Sequence, residues 1–432
     1  MYRKLKIAGL ILAIFLFVSY HRLHCSISEP SEQPQRRDVK LDFKTEEVWV
    51  FEESVHDEVN GAIAVGLQAA KVMPTFACHF RHEFSTILSS IVKEEPTVVI
   101  PNGPDFHKAL AEDSIDNVIL TTCFSSLQRH KAAIYASTAH VVCLIHHSSP
   151  HVYHELKPLM EPLAEQGRLS IVVLGEHVRE RIQADLNIWT ENMESTVWES
   201  VPVEVMLPIF DYPSSSDRPE PAIFPSRAIV QGNIEPGRRN YEKLLSDLRK
   251  SLLKSPAMWG WYGLEGSPLR PLLDSSPFTL HLVGQINQQH PVVIPVELRD
   301  VVQIHYDLPY PEFYQLISEA DVMVPAFRDR GPYEDTTSSS IAAAVVTRIP
   351  VLASARHLLA YTYLKGPSII RRLISTSEVS ALEAIRAQGQ PRRRESKEEW
   401  KEFQDEIIQD NAEMWGRILK HRSYGGVNGG QK

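Results

Sequence analysis

The sequence is poor in the signatures of several protein classes. Four cysteines in 432 residues are too few for a disulfide-framed fold, and none stands in a C-x-x-C pair. No Asp-x-Asp occurs, so the closely spaced oxygen ligands that suit Mg²⁺ or Mn²⁺ are missing and no metal site or bound cofactor is expected. The 18 histidines include no H-E-x-x-H, so no zinc centre is expected either. Twenty glycines and 29 prolines are not low-complexity levels. The formal charge of −9, from 45 basic and 54 acidic residues, gives no basic face, and no nucleic-acid partner is expected. No N-x-[ST] acceptor for glycosylation is present. An acidic globular chain of two or three domains remains.

Long hydrophobic runs are also scarce, with one exception. Arg3, Lys4 and Lys6 precede an apolar or neutral stretch, Ile7 to Tyr20, before His21 and Arg22. That length suits a signal peptide, which carries about 7–15 apolar residues. It falls short of the roughly 17–25 of a comfortable span, although snorkelling by the flanking cations narrows the gap. Residues 1–24 therefore read as a signal anchor or a signal peptide, with Ser26-Ile27-Ser28 as a passable cleavage site. Residues 25–45, rich in Ser, Pro, Glu and Arg, read as a stem. Positive charge ahead of the run would leave the rest of the chain lumenal. The expectation is a single-pass type II protein of the endoplasmic reticulum or Golgi, held through residues 7–20; a secreted protein is the alternative. Cys143 lies inside an apolar strand pattern, where a reduced core thiol is expected.

From residue 46, short apolar runs alternate with helical patterns, as in β-α-β units around a parallel sheet. Strands are expected at Val48–Phe51, Thr97–Ile100, Val118–Thr121, His140–Ile145, Leu169–Leu174 and Val203–Leu207. The proline-rich stretch 208–226 interrupts them as a linker. The alternation then restarts over 227–390, with a strand at Ala228–Gln231 and a helix at Arg239–Leu253. Later come a helix at Thr336–Thr347 and a strand at Val351–Ala353. Residues 391–421 read as a helix whose Trp400, Phe403, Ile407, Met414, Trp415 and Ile418 form a core-facing stripe, and 422–432 as a tail. The fold class is α/β, with two Rossmann-like doubly wound domains at 46–207 and 227–390 behind the N-terminal segment. Ligands in such sheets bind beyond the carboxyl ends of the strands.

The sharpest local pattern runs from Ile229-Val230-Gln231-Gly232-Asn233-Ile234 to Pro236-Gly237-Arg238-Arg239-Asn240-Tyr241. A strand, a Gly loop and two arginines opening a helix would suit a phosphate. Solvated first-turn arginines are the plainer reading, though a helix N-terminus disfavours cations. This pattern resembles the donor-binding half of GT-B glycosyltransferases of the group-1, family-4 type. Tyr314 to Pro325 is similar to the family's helix-Ala-Asp-strand-Pro segment, and Thr347 to Ser354 to its Gly-x-Pro-Val turn. In the first half, Ile171 to Arg179 is similar to its strand running into a helix start, and Val205 to Pro208 falls where the linker begins.

The resemblance implies a glycosyltransferase that moves a sugar from a nucleotide sugar to a glycan, protein or lipid acceptor. It implies donor-phosphate contacts at Gly232, Arg238 and Arg239, and donor-sugar or ribose contacts at Glu334 and Asp335. In place of the family's Gly-rich segment, the hydroxyl run with Thr336 and Ser338 would cap a helix, the plainer reading, or line the phosphate site. The family's paired glutamates, eight positions apart, fall on Asp335 and Ala343, so one carboxylate is missing. Arg348 replaces the turn glycine. Those departures keep open a non-catalytic binding protein on the same fold; a nucleotide-sugar epimerase on this fold is the further alternative, against which a lumenal anchor would argue. On the acceptor side His146 and His56 lie just past strand ends, where an imidazole could serve as general base or be an ordinary polar loop residue.

Overall fold

A computed structural model describes residues 47–420 apart from 54–55, 102, 149, 194–195, 214–222, 274, 287–288, 329 and 390–395, without the side chains of 150–154 and 192–193. The expected anchor (1–24), stem (25–45) and tail (422–432) lie outside the described residues. Among the described residues no helix is long and apolar enough to cross a membrane.

The first half is a seven-stranded sheet in which every pairing is parallel. Its strands are β1 (Val48–Phe51), β2 (Pro74–Ala77), β3 (Thr97–Val99), β4 (Asn117–Leu120), β5 (His140–Ile145), β6 (Leu169–Val173) and β7 (Val203–Val205), in the order β3-β2-β1-β4-β5-β6-β7. The chain winds outward from β1 to β3, returns to β4 beside β1, and winds the other way to β7. The strand order therefore reverses between β1 and β4. The strands are apolar without alternation because both faces are covered. Val50, Ile119, Val142 and Val172 enter one core, while Phe51, Leu120, Cys143 and Val173 enter another.

The second half contains β8 (Arg227–Gln231), a small hairpin of β9 (Trp261–Tyr262) and β10 (Arg270–Pro271), then β11 (Thr279–Gly284), β12 (Val302–Tyr306), β13 (Val322–Met323), β14 (Val351–Ala353) and β15 (Ile369–Arg371). Its main sheet is also parallel, in the order β12-β11-β8-β13-β14-β15, and reverses between β8 and β13. Ala228, Val230, Leu282 and Leu352 fill a core of this half alone, whereas Ile229, Met323 and Ala353 join the core shared with the first half.

The C-terminal helix Lys397–Lys420 packs as its apolar stripe predicts, and it spans both halves. Asn411 reaches Leu207 at the end of the first half, accepting from its backbone N–H at 3.0 Å and donating to its carbonyl at 2.7 Å. Gln404 Nε2 donates to the Val345 carbonyl of the second half at 2.8 Å. The stretch after β7 is not a free linker throughout: Ile209 and Phe210 are fully buried in the shared core.

Two expectations need correction. Cys143 is not a reduced thiol, because the first residue of the helix Cys123–Ala136 brings Cys123 to it in a disulfide, with Cα atoms 5.1 Å apart. Arg238 and Arg239 do not open a helix. The helix is Tyr241–Lys254, and Asn240 caps it by accepting from the Lys243 N–H.

Candidate functional site

Both reversals place polar groups at the carboxyl ends of strands, where open α/β sheets hold ligands. At the first, Glu52 follows β1 and is 4% exposed. The hydroxyls of Thr121 and Thr122, just past β4, donate to its carboxylate at 2.5 and 2.6 Å. His146, past β5, donates from Nε2 to the Thr121 carbonyl at 2.7 Å, which leaves Nδ1 to carry the lone pair. Its ring stacks on His56, with centroids 3.7 Å apart and planes at 19°. The two expected bases are thus brought together. Burial, then the neighbouring His56, pushes the His146 imidazole down to about 3, so the ring is neutral near pH 7.

Asp57, next to His56, is buried and its carboxyl is pushed up to about 6, mainly by burial. Glu58 is also raised by burial and accepts from the Tyr310 hydroxyl of the second half at 3.2 Å. The sequence singles out His56 here, but not its neighbour Asp57. An acid in the first turn of the helix Asp57–Ala69 reads as an ordinary solvated residue, and its burial beside the Arg81 backbone depends on chain further along the sequence.

At the second reversal the loop after β8 lies against the end of β11. The Gly232 N–H donates to the Val283 carbonyl at 3.0 Å, and the Ile234 N–H to that of Gln285 at 2.7 Å. Gly232 (φ +126°) and Gly284 (φ +150°) make this approach possible, since a Cβ on Gly284 would sit 2.0 Å from the Gly232 oxygen. Arg239 is 6% exposed and lies under this loop. It donates to the Pro325 carbonyl at 2.9 Å, the Gln231 carbonyl at 2.7 Å and Ser340 Oγ at 3.1 Å, and faces the Phe327 ring at 4.8 Å. Burial lowers its pKa, and among the described residues no carboxylate forms an ion pair with it. Among the described residues its Nε is buried without a partner, as are Gln231 Oε1 and the Tyr241 hydroxyl nearby in the chain. Arg238 points elsewhere: its side chain is 70% exposed, 3.7 Å from Glu235.

The hydroxyl run joins this group. Ser340 Oγ lies 2.7 Å from Ser338 Oγ, so the chain Arg239–Ser340–Ser338 is continuous. Ser338 precedes the helix Ser339–Val346 but makes no side-chain cap bond to it. Thr336 Oγ1 donates to Asp335 at 3.1 Å, and Glu334 pairs with Arg356 at 3.2 Å. Ala343, in place of the second carboxylate, is buried in the shared core. Arg348 keeps the left-handed conformation of the turn glycine it replaces (φ +60°), and its guanidinium pairs with Asp211 and, at 3.1 Å, with Gln404.

The loops beyond the two sheets touch. His147 pairs its backbone antiparallel to Thr336, and the Ser148 N–H donates to the Asp335 carbonyl at 2.8 Å. Gly232, Arg239, Ser338, Thr336 and Asp335 therefore belong to one region beside His146, with Arg238 and Glu334 at its exposed margin. Among the described residues no group of three His, Cys, Asp or Glu side chains is placed to hold a metal ion.

No protein-family model and no curated sequence matches the chain. Solved structures do. An α,α-trehalose 6-phosphate synthase from Burkholderia multivorans is 8% identical, with a TM-score of 0.50 over 88% of this chain and 99% of that one. A glycosyltransferase from Rickettsia africae ESF-5 is 12% identical, with a TM-score of 0.46 over 88% and 97%. An α-glucosyltransferase in complex with UDP-glucose and DNA is 12% identical, with a TM-score of 0.48 over 87% and 95%. At these identities the likeness concerns architecture, and the first of them agrees with the two parallel sheets and their facing loops: the chain has the GT-B fold.

Proposed function

We propose that the chain is a glycosyltransferase that moves a sugar from a nucleotide-sugar donor, held by the second half, to a hydroxyl of a glycan, protein or lipid acceptor held by the first. Arg239 carries this reading. A buried guanidinium at a strand-order reversal, acted on by the Glu378 carboxylate but in no ion pair among the described residues, suits an anion. The diphosphate would lie over the Gly232 loop and the Ser338–Ser340 hydroxyls, with Arg238 reaching it from solvent. Asp335 and Glu334 would face the ribose or sugar.

In the reaction the acceptor oxygen attacks the anomeric carbon while its proton passes to a base of the first half. The bond from that carbon to the diphosphate breaks, and the electron pair leaves with the nucleoside diphosphate. Fixed positive charge where this charge develops lowers the barrier. His146, a neutral ring with Nδ1 free to accept, stacked on His56, would orient the acceptor hydroxyl. Asp57, titrating near 6, is better matched to a base working near neutrality. No metal is part of this scheme. The Cys123–Cys143 disulfide supports maturation in an oxidising compartment, and with it a lumenal or secreted location; membrane attachment would rest on residues 7–20 alone.

A thermal-shift panel of nucleotide sugars on the purified chain tests the reading. A true donor at 100 times its Kd should stabilise the protein by about 2.7 kcal/mol. If no nucleotide sugar or nucleoside diphosphate raises the Tm, the proposal fails.

A further inference from the structure

His177 is the second residue of the helix Glu176–Met193 and is 8% exposed. It reaches out of the first half at two points. Nδ1 lies 2.8 Å from the Ala360 carbonyl oxygen, and Nε2 lies 3.1 Å from that of Thr336. Carbonyl oxygens only accept, so each contact is a hydrogen bond only if the ring nitrogen donates. A neutral imidazole has one N–H and an imidazolium has two. The charged ring can thus hold both segments, whereas the neutral ring holds one and turns a lone pair towards the other oxygen.

The surroundings bear on that charge. On its own helix, Glu176 and Arg179 are paired with each other at 2.7 Å. On the Thr336 segment, Asp335 accepts from Thr336, and Glu334 pairs with Arg356 of the helix Ala355–Ala360. On the remaining sides, the Tyr361 ring stands 5.2 Å away, His147 pairs its backbone with Thr336, and His357 is bonded to Ser354 and Tyr333. Ala360 ends its helix, so its carbonyl favours a cation, while the N-terminus of the His177 helix opposes one.

The clamped segment leads directly into the proposed donor site. The Ser338 N–H donates to the Tyr361 hydroxyl at 3.1 Å, and Ser338 continues through Ser340 to Arg239. We propose that His177 is a positioning residue: as an imidazolium it clamps the Thr336 and Ala360 segments of the second half against the first, so that ordering of the donor site takes up a proton. The clamp stands on geometry alone; its link to a donor rests on the nucleotide-sugar reading above. The bonded state binds the extra proton, so its contribution is present in acid and lost as pH rises.

The test uses the full chain, free and with UDP-glucose as probe. Nitrogen-15 imidazole spectra should show both His177 nitrogens protonated at pH 5.5. Hydrogen exchange of the 335–338 amides, corrected for intrinsic rates, should quicken about tenfold by pH 8, as expected for one lost charge-assisted bond. His177→Gln, which cannot titrate, should flatten that profile, and His177→Phe should give fast exchange at every pH. UDP-glucose affinity should follow the same profile in the wild type and not in His177→Gln. A neutral His177 ring at pH 5.5, or a wild-type exchange profile in His177→Gln, overturns the clamp. Failure of UDP-glucose and every other nucleotide sugar to bind counts against the glycosyltransferase reading, while the spectra and exchange still decide the clamp.

Discussion

At the reversal of the first sheet, Glu52, His56, Asp57 and His146 crowd titratable groups into a buried space. At the reversal of the second, Ser338, Ser340 and Arg239 beside the Gly232 loop offer hydroxyls and one fixed positive charge. The same topology thus serves two kinds of chemistry. The first crevice is built for groups whose charge can change, the second for a group whose charge does not. The first should therefore respond to pH through its own side chains; the second should respond to shape and fixed charge, and to pH only through the His177 clamp at its flank.

The largest effect that would break this contrast lies in the second half. Gly284→Ala would drive a Cβ into the Gly232 carbonyl, and backbone on both sides leaves little room to yield. A loss on the order of 4 kcal/mol is expected in urea unfolding; a loss under 1 kcal/mol would mean that the β8 and β11 ends part freely. Next is Arg239→Met, which removes the donor from two carbonyls and Ser340. It should cost about 3 kcal/mol and abolish nucleotide-sugar binding in calorimetry. Arg239→Lys should recover less than half of either, since an ammonium lacks the planar fork. Unchanged donor affinity in folded Arg239→Met would make this arginine a purely structural tie.

In the first half the expected signature is a sign. Asp57 is raised to about 6, so the native state holds its proton more tightly than the unfolded chain, and stability falls as pH climbs from about 4 to 6. Asp57→Asn should therefore be more stable than wild type at pH 8 and equal to it near pH 3, while transfer slows at least about 100-fold. His146, lowered to about 3, has the opposite sign: its contribution is present above pH 6.5 and lost as acid charges it. Denaturation curves at several pH values separate the two. The smallest effect is Arg238→Ala. This side chain is largely exposed, so stability should stay within about 0.5 kcal/mol and donor affinity should change only a few-fold. A larger loss of affinity would move the phosphate outward from Arg239.

Much of the fold was legible because its strands are buried on both faces. His140–Ile145 and Val351–Ala353 stand where their apolar runs predict. Pro74–Ala77 escaped notice because a proline opens it, and Ile369–Arg371 because three residues at a sheet edge carry little pattern. The site was only partly legible. Gly232, Arg239 and Ser338 could be found from local order, yet local order placed Arg239 in a first helical turn rather than under the Gly232 loop. Cys123 and Cys143 stand 20 residues apart, one opening a helix and one inside a strand, a spacing with no meaning until the sheet is built. His177 meets partners 159 and 183 positions away, a relation that no window of sequence contains.

The helix Lys397–Lys420 has a consequence for biosynthesis. Gly66 lies against the Trp415 indole, so one face of the first half is completed by nearly the last described stretch of chain. At about 5–20 residues per second, the ribosome needs roughly 10–40 s to travel from Leu207 to Lys420. For that interval the first half waits with the surface around Gly66 uncovered. A nascent chain halted before residue 397 should accordingly recruit chaperones, and release of the final helix should dismiss them.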